Sequence, residues 1–174
     1  FGTTGSVTAI SNLVSNAGVV ATDTAGVGTA RYSLRAAEYG GDKAIFGYGH
    51  TTGYVSMSNL VSNAGVVATD VGGVGTARGY LAAAQYGTDK AIFGYGFNGS
   101  RLSMTNLVSN VGVIGSDVGG VGTARNGLAS SGYGRDKAIF AYGYNGSNLS
   151  MSNLVTNVGV VGSDVGGVGT ARNS

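Results

Sequence analysis

Cysteine, proline and tryptophan are absent from the 174 residues, and His50 and Glu38 are the sole histidine and glutamate. Without cysteine there is no disulfide framework and no thiolate metal site. That suits a reducing compartment, and equally an extracellular protein held together by its sheets. One histidine supplies neither an imidazole cluster for a metal nor a repeated general base, so no cofactor and no metal are expected. Charge is scarce as well. Ten basic and eight acidic residues leave a net charge of +2, too small and too evenly spread for an electrostatic footprint on nucleic acid. Apolar runs last about four to six residues before Gly, Ser or Thr interrupts them, far short of a membrane span, so no membrane insertion is expected. No basic and apolar leader opens the sequence and no methionine starts it. Because Phe1 also falls inside a repeat, aligned with Tyr48, the chain reads as a processed or excised piece of something longer.

What the sequence does contain is a repeat. Thr29-Ala30-Arg31 returns at 76–78, 123–125 and 170–172, and Asp42-Lys43-Ala44-Ile45-Phe46 returns at 89–93 and 136–140. Every step is 47 residues, without insertion or deletion. Fixed periods of this size mark solenoids, propellers and similar arrays, in which each unit buries its apolar face against its neighbours. The chain is therefore expected to be one repeat domain over 1–174. Its copies lie at about 1–31 (partial), 32–78, 79–125 and 126–172. With 34 glycines the composition could suit a flexible linker, but the strict period, ten Tyr, five Phe and many Val, Ile and Leu argue for order.

Within the copy that follows Arg78, four segments have strand character: 81–85, made of small residues; 90–96, the most apolar; 102–109; and 113–118. Asn98-Gly99 predicts a type I′ hairpin turn between the second and third. Four short strands in up-and-down order every 47 residues read as a propeller blade. The alanine-rich first strand fits this, since small residues let backbones crowd near an axis. The expected fold is all-β, a β-propeller-like array of four-stranded antiparallel blades in about 3.7 copies. A β-solenoid or another all-β repeat is the alternative. Helical repeats are disfavoured: the alanine stretch between Gly79 and Gly87 is too short to hold a helix unaided, and no segment sustains a 3.6-residue period.

The order Thr76-Ala77-Arg78, Leu81-Ala82-Ala83-Ala84, Tyr86-Gly87, Ala91-Ile92-Phe93-Gly94-Tyr95-Gly96 resembles a kelch motif. The phrases at 58–67 and 89–96 resemble repeats in kelch-like proteins of bacteriophage tails and related virion proteins. The resemblance covers the whole chain. It departs from kelch in splitting the adjacent glycine pair as Gly94-Tyr95-Gly96 and in lacking the usual tryptophan. It implies a propeller, a structural or binding role and a virion or extracellular location.

Little in the sequence points to catalysis. Asp23, Asp70, Asp117 and Asp164 share one repeat position, as do Arg31, Arg78, Arg125 and Arg172. Asp42-Lys43, Asp89-Lys90 and Asp136-Lys137 share another pair of positions, so fourteen of the eighteen charges recur. A catalytic site needs groups held in different environments, whereas these are expected to tie turns or bridge adjacent blades. No Ser-His-Asp set is suggested by spacing, and His50 is expected in an exposed loop. Gly26-Val27-Gly28 is natural as a bend between blades, and no helix follows it to make a phosphate cradle. Asn98-Gly99-Ser100, Asn145-Gly146-Ser147 and Asn148-Leu149-Ser150 fit the glycosylation pattern, but the first two coincide with predicted turns. The expected protein is not an enzyme.

The positions that do not repeat fall in two stretches: after the arginine (Tyr32-Ser33, Gly79-Tyr80, Asn126-Gly127), and between the second and third strands (50–54, 97–101, 144–148). In an up-and-down blade these two connections lie at the same end, so variation is expected on one face. Its candidate ligand-binding residues are Tyr32, Arg35, Tyr54, Tyr80, Phe97, Arg101 and Tyr144, types suited to stacking and polar recognition. Loops on a rigid scaffold are common places for binding, although unconstrained loops also vary. The third and fourth segments occur four times (6–24, 53–71, 100–118, 147–165) and the first two fully only three times. The expected propeller is therefore incomplete, or completed by an oligomer. The partners this implies are the chain itself or further repeats of the same polypeptide, and a surface glycan or receptor. The functional expectation is a binding or structural module of a virion or cell-surface appendage, with a purely architectural repeat protein as the alternative.

Overall fold

In a computed structural model, which describes residues 1–173, the protein is all-β, and no helix occurs among those residues. A short hairpin of β1 (Gly2–Thr3) and β2 (Val7–Thr8) precedes three antiparallel sheets. These are β3 (Arg35–Tyr39), β4 (Lys43–Gly47) and β5 (Ser58–Val61); β6 (Ala82–Tyr86), β7 (Lys90–Phe97) and β8 (Arg101–Val108); and β9 (Ala129–Tyr133), β10 (Lys137–Ala141) and β11 (Ser152–Val155). Each sheet is a meander with its middle strand paired on both sides. The first three segments read from the sequence match β6, β7 and β8 to within about a residue or two.

The fourth segment differs from expectation. It joins the third strand through isolated bridges, Ser58↔Val71 and Val61↔Val67 in one copy, Thr105↔Val118 and Val108↔Ile114 in the next. Three residue steps on β5 or β8 face four on the fourth segment, so each copy carries a one-residue bulge. A bulge leaves one residue unpaired and interrupts the ladder, and the sheets therefore have three regular strands. The Asn98-Gly99 turn differs too. Phe97 pairs with Arg101 across three residues, and only Gly99, at φ 110, has positive φ there. Paired positive values occur instead in the other hairpin, at Gly87 (60) and Thr88 (70).

The sheets pack face to face in a row. One core cluster lies between the first and second sheets, with Tyr39, Ile45 and Tyr48 meeting Leu81, Ala91 and Phe93. The other lies between the second and third, with Ala84, Tyr86, Ile92 and Tyr95 meeting Leu128, Ala138 and Phe140. Alternate residues of a strand point to opposite faces, so Phe93 goes to one cluster and Ile92 to the other. A strand covered on both faces must be apolar throughout, which accounts for the hydrophobic character of β7. The small-residue first strands β3, β6 and β9 lie side by side across the row, and Ser130 Oγ donates to the Ala83 carbonyl at 2.7 Å. Main-chain bonds link equivalent places: Tyr80 N to Ser33 O at 3.1 Å, and Gly127 N to Tyr80 O at 3.0 Å. No strand pairing among the described residues joins the third sheet back to the first.

The recurring arginine and its aspartate form a knot at each boundary between copies. Arg78 is fully buried. Its Nε donates to the Tyr95 carbonyl (2.8 Å), Nη1 to the Thr76 carbonyl (3.0 Å) and Nη2 to Asn106 Oδ1 (2.7 Å). Asn106 Nδ2 in turn donates to Asp117 Oδ1 and the Gly115 carbonyl, and the Asp117 carboxylate accepts from Thr76 N and Oγ1. The same partners surround Arg31 and Arg125. Each guanidinium also lies over a ring of its own copy, Arg78 on Tyr48 and Arg125 on Tyr95, both at 4.2 Å.

Candidate functional site

The two non-repeating stretches meet on one edge. Main-chain bridges join Tyr32 to His50 and His50 to Tyr54 in the first complete copy, Gly79 to Phe97 in the second, and Asn126 to Tyr144 and Tyr144 to Asn148 in the third. Phe97 pairs with Arg101 at the tip of β7 and β8. The edge is thus a grid of three rows: Tyr32-His50-Tyr54, Gly79-Phe97-Arg101 and Asn126-Tyr144-Asn148.

The knots root this grid. Tyr48, Tyr95 and Tyr142 all sit at φ 62, a left-handed conformation that costs a side-chain-bearing residue about 1–2 kcal/mol. This kink turns the strand toward the edge, and the carbonyls of Tyr48 and Tyr95 are held by the Nε of Arg31 and Arg78. The following glycines (49, 96, 143) have φ near 110 and donate to the carbonyls of Arg78, Arg125 and Arg172. The next residue is the centre of each grid row.

Rings run across the rows. Tyr32 and His50 have centroids 5.1 Å apart, His50 and Tyr54 4.7 Å, and Tyr54 and Phe97 6.1 Å, the last contact crossing from one copy to the next. The same diagonal step places the Arg101 guanidinium 4.9 Å over the Tyr144 ring. Tyr80 is exposed beside this row, and burial first, then Tyr80 and Tyr32, push the Tyr54 hydroxyl above its ordinary pKa. Most of these side chains are half-buried, forming a shallow strip. His50 Nδ1 and Arg101 Nε have no hydrogen-bond partner among the described residues.

Of the seven residues predicted, Tyr32, Tyr54, Tyr80, Phe97, Arg101 and Tyr144 are brought together. Arg35 stands apart at the start of β3, its Nη1 donating to the Leu34 carbonyl at 3.0 Å, and burial lowers its pKa. His50 corrects an expectation. It is half-buried between two tyrosines and is no exposed loop histidine. Its equivalents, Phe97 and Tyr144, are aromatic, and that was the signal in the sequence. Among the described residues no three His, Cys, Asp or Glu side chains cluster.

These features define an all-β repeat protein whose recurrent residues build the stack and whose variable residues share one edge. No family model matches the sequence, and no curated protein is significantly similar to it.

Proposed function

We propose that the chain is a non-enzymatic binding module, part of a virion or cell-surface appendage, that recognises a glycan along the aromatic edge. The observation that carries this reading is the continuous row of Tyr32, His50, Tyr54 and Phe97, which crosses a copy boundary at positions the repeat leaves free to vary. A sugar ring offers an apolar C–H face for stacking on aromatic rings and hydroxyls for polar neighbours. The strip presents both kinds of group, with Arg101 as its one formal charge. A shallow, open edge suits an extended chain of sugars better than an enclosed small molecule.

The finer architecture belongs to the same proposal. The three sheets, each extended by a bulged fourth segment, act as propeller-like blades. The adjacent small-residue first strands support this, as does the repeated aromatic step from Tyr48 to Phe93 (5.2 Å) and from Tyr95 to Phe140 (5.4 Å). The likeness of the sequence to phage-tail kelch repeats supports the location.

Glycan-array binding tests the reading. Tyr54→Ala and Phe97→Ala are expected to weaken binding at least about tenfold, the effect of losing a central aromatic contact, with circular dichroism unchanged. No binding by the wild-type protein, or binding indifferent to both substitutions, sinks it. A purely architectural reading is favoured by a different observation, the identical knots at successive boundaries.

A further inference from the structure

Arg101 is an arginine that the stack does not use. Arg31, Arg78 and Arg125 are fully buried, and in each the Nε and both Nη groups donate to acceptors of the knot. Arg101 is half-buried at the first position of β8, and its Nε is enclosed without an acceptor among the described residues. No carboxylate among those residues lies within ion-pair distance of its guanidinium. An enclosed donor on a cation is costly and calls for a reason. The repeat does not supply one, because the equivalent positions hold Tyr54 and Asn148.

The surroundings of Arg101 hold the charge in place without neutralising it. Its guanidinium lies 4.9 Å over the Tyr144 ring, a contact that orients a cation while leaving its N–H groups available. Phe97 is its direct partner across β7 and β8, and paired residues of antiparallel strands keep their Cβ atoms about 4.5–5.5 Å apart. The Phe97 ring in turn follows Tyr54 at 6.1 Å, so the row of rings runs straight up to the cation. The eight carboxylates of the chain are engaged or placed elsewhere. Three stand on the hairpins at the other end of the sheets, each paired with the lysine that follows it. Four occupy the knot position, where an asparagine donates to each, and Glu38 lies one residue from the first of the far hairpins. The aromatic edge therefore carries a positive charge and no counter-ion of its own.

We propose that the glycan taken by this edge is an acidic one, with a sugar oxyanion, a uronate carboxylate or a sulfate ester, held by the Arg101 guanidinium while adjoining sugar faces stack on Phe97 and Tyr54. The inference rests on the glycan reading and narrows it to a ligand class. The arginine fork donates two parallel hydrogen bonds to a carboxylate and meets the oxygens of a sulfate with the same groups. Aromatic rings accept charged and neutral sugars alike, whereas an unpaired guanidinium favours the charged ones. Specificity is that difference in affinity.

An array of neutral, uronate-containing and sulfated oligosaccharides, probed at low and high salt, tests it. Acidic members are expected to bind at least about tenfold more tightly than neutral ones of the same length, the effect of one charge-assisted hydrogen bond, and to lose that advantage as salt rises. The ranking of uronate against sulfated members tells which oxyanion is taken. Arg101→Gln is expected to weaken acidic binding at least about tenfold, and Arg101→Lys, which keeps the charge without the fork, to fall between. Circular dichroism should be unchanged in both, since the guanidinium serves no acceptor of the fold. Lys90→Gln removes the same charge at the other end of β7, about 20 Å away, more than a Debye length, and is expected to leave binding as it was. Preference for neutral glycans, equal binding of both kinds, or acidic binding that Arg101→Gln spares or Lys90→Gln weakens equally overturns the inference and leaves the glycan reading standing. A wild type that binds no glycan sinks both.

Discussion

The buried arginine is the residue on which each joint depends. Arg78 is surrounded by acceptors that have no other cation, and its planar fork reaches three of them in different directions. Truncation to alanine leaves those groups buried without their donor. Arg78→Ala is expected to cost about 3–5 kcal/mol, since several acceptors lose a charged donor at about 1–3 kcal/mol each. Arg78→Lys keeps the charge but not the geometry, and should still cost about 1.5–3 kcal/mol. Urea unfolding followed by circular dichroism measures both. The aspartates make the joint sensitive to acid. Burial alone pushes the carboxyls of Asp70, Asp117 and Asp164 up, but hydrogen bonds from Thr29, Thr76 and Thr123 and from the asparagines outweigh it and hold all three below 3.8. The unfolded chain therefore binds more protons than the folded one as pH falls. The stabilisation is fully present above the ordinary carboxylate range and is lost as pH drops through and below 3.8. Denaturation midpoints measured from pH 7 down to pH 2 should be flat at first and then decline. A midpoint that rises on acidification would contradict the knot.

At the scale of elements, the fourth segment of each copy is held by a side chain as much as by a ladder. Asn106 donates to Gly115 O and Asp117 beside the bulge. Asn106→Ala is expected to release 113–118, raising its hydrogen exchange while β6 and β7 stay protected. Equal loss of protection throughout the sheet would show that the segment is an ordinary strand. Packing between sheets depends on glycine at one place. A Cβ on Gly94 would meet Phe140 Cζ at 2.9 Å and Cε2 at 3.0 Å. Gly94→Ala is expected to destabilise by about 1–3 kcal/mol through overpacking, and Phe140→Leu in the same chain should recover part of the loss.

The whole molecule behaves as a row in which each sheet contacts its neighbours only. Stability in such arrays is close to a sum of unit and interface contributions. A chain cut after residue 127 is expected to keep the first two sheets, because the Tyr48–Phe93 interface remains. It loses the cover over Ile92 and Tyr95. Its urea midpoint should fall, with a smaller m-value because less surface is exposed on unfolding. Complete unfolding of the shortened chain would show that the third sheet is needed by both others.

The 47-residue period, the all-β character and the limits of β6, β7 and β8 were legible from residue order alone, because alternation and glycine punctuation are local. The recurrence of Asp and Arg also marked them as structural, although it did not reveal that Asn59, Asn106 and Asn153 link them. The missed bulge has a physical reason. Residues 113–118 look like a strand in composition, and only the pull of the Asn106 side chain on Gly115 and Asp117 shows why the ladder breaks. His50 was misjudged for a related reason, since its burial comes from Tyr32 and Tyr54, which lie on separate connections. Sequence alone determined the unit and the places where it varies, because both follow from periodicity along the chain. Which rings form a continuous row was decided by how sheets stack. The step from Tyr54 to Phe97 crosses from one copy to the next, and no local pattern records it.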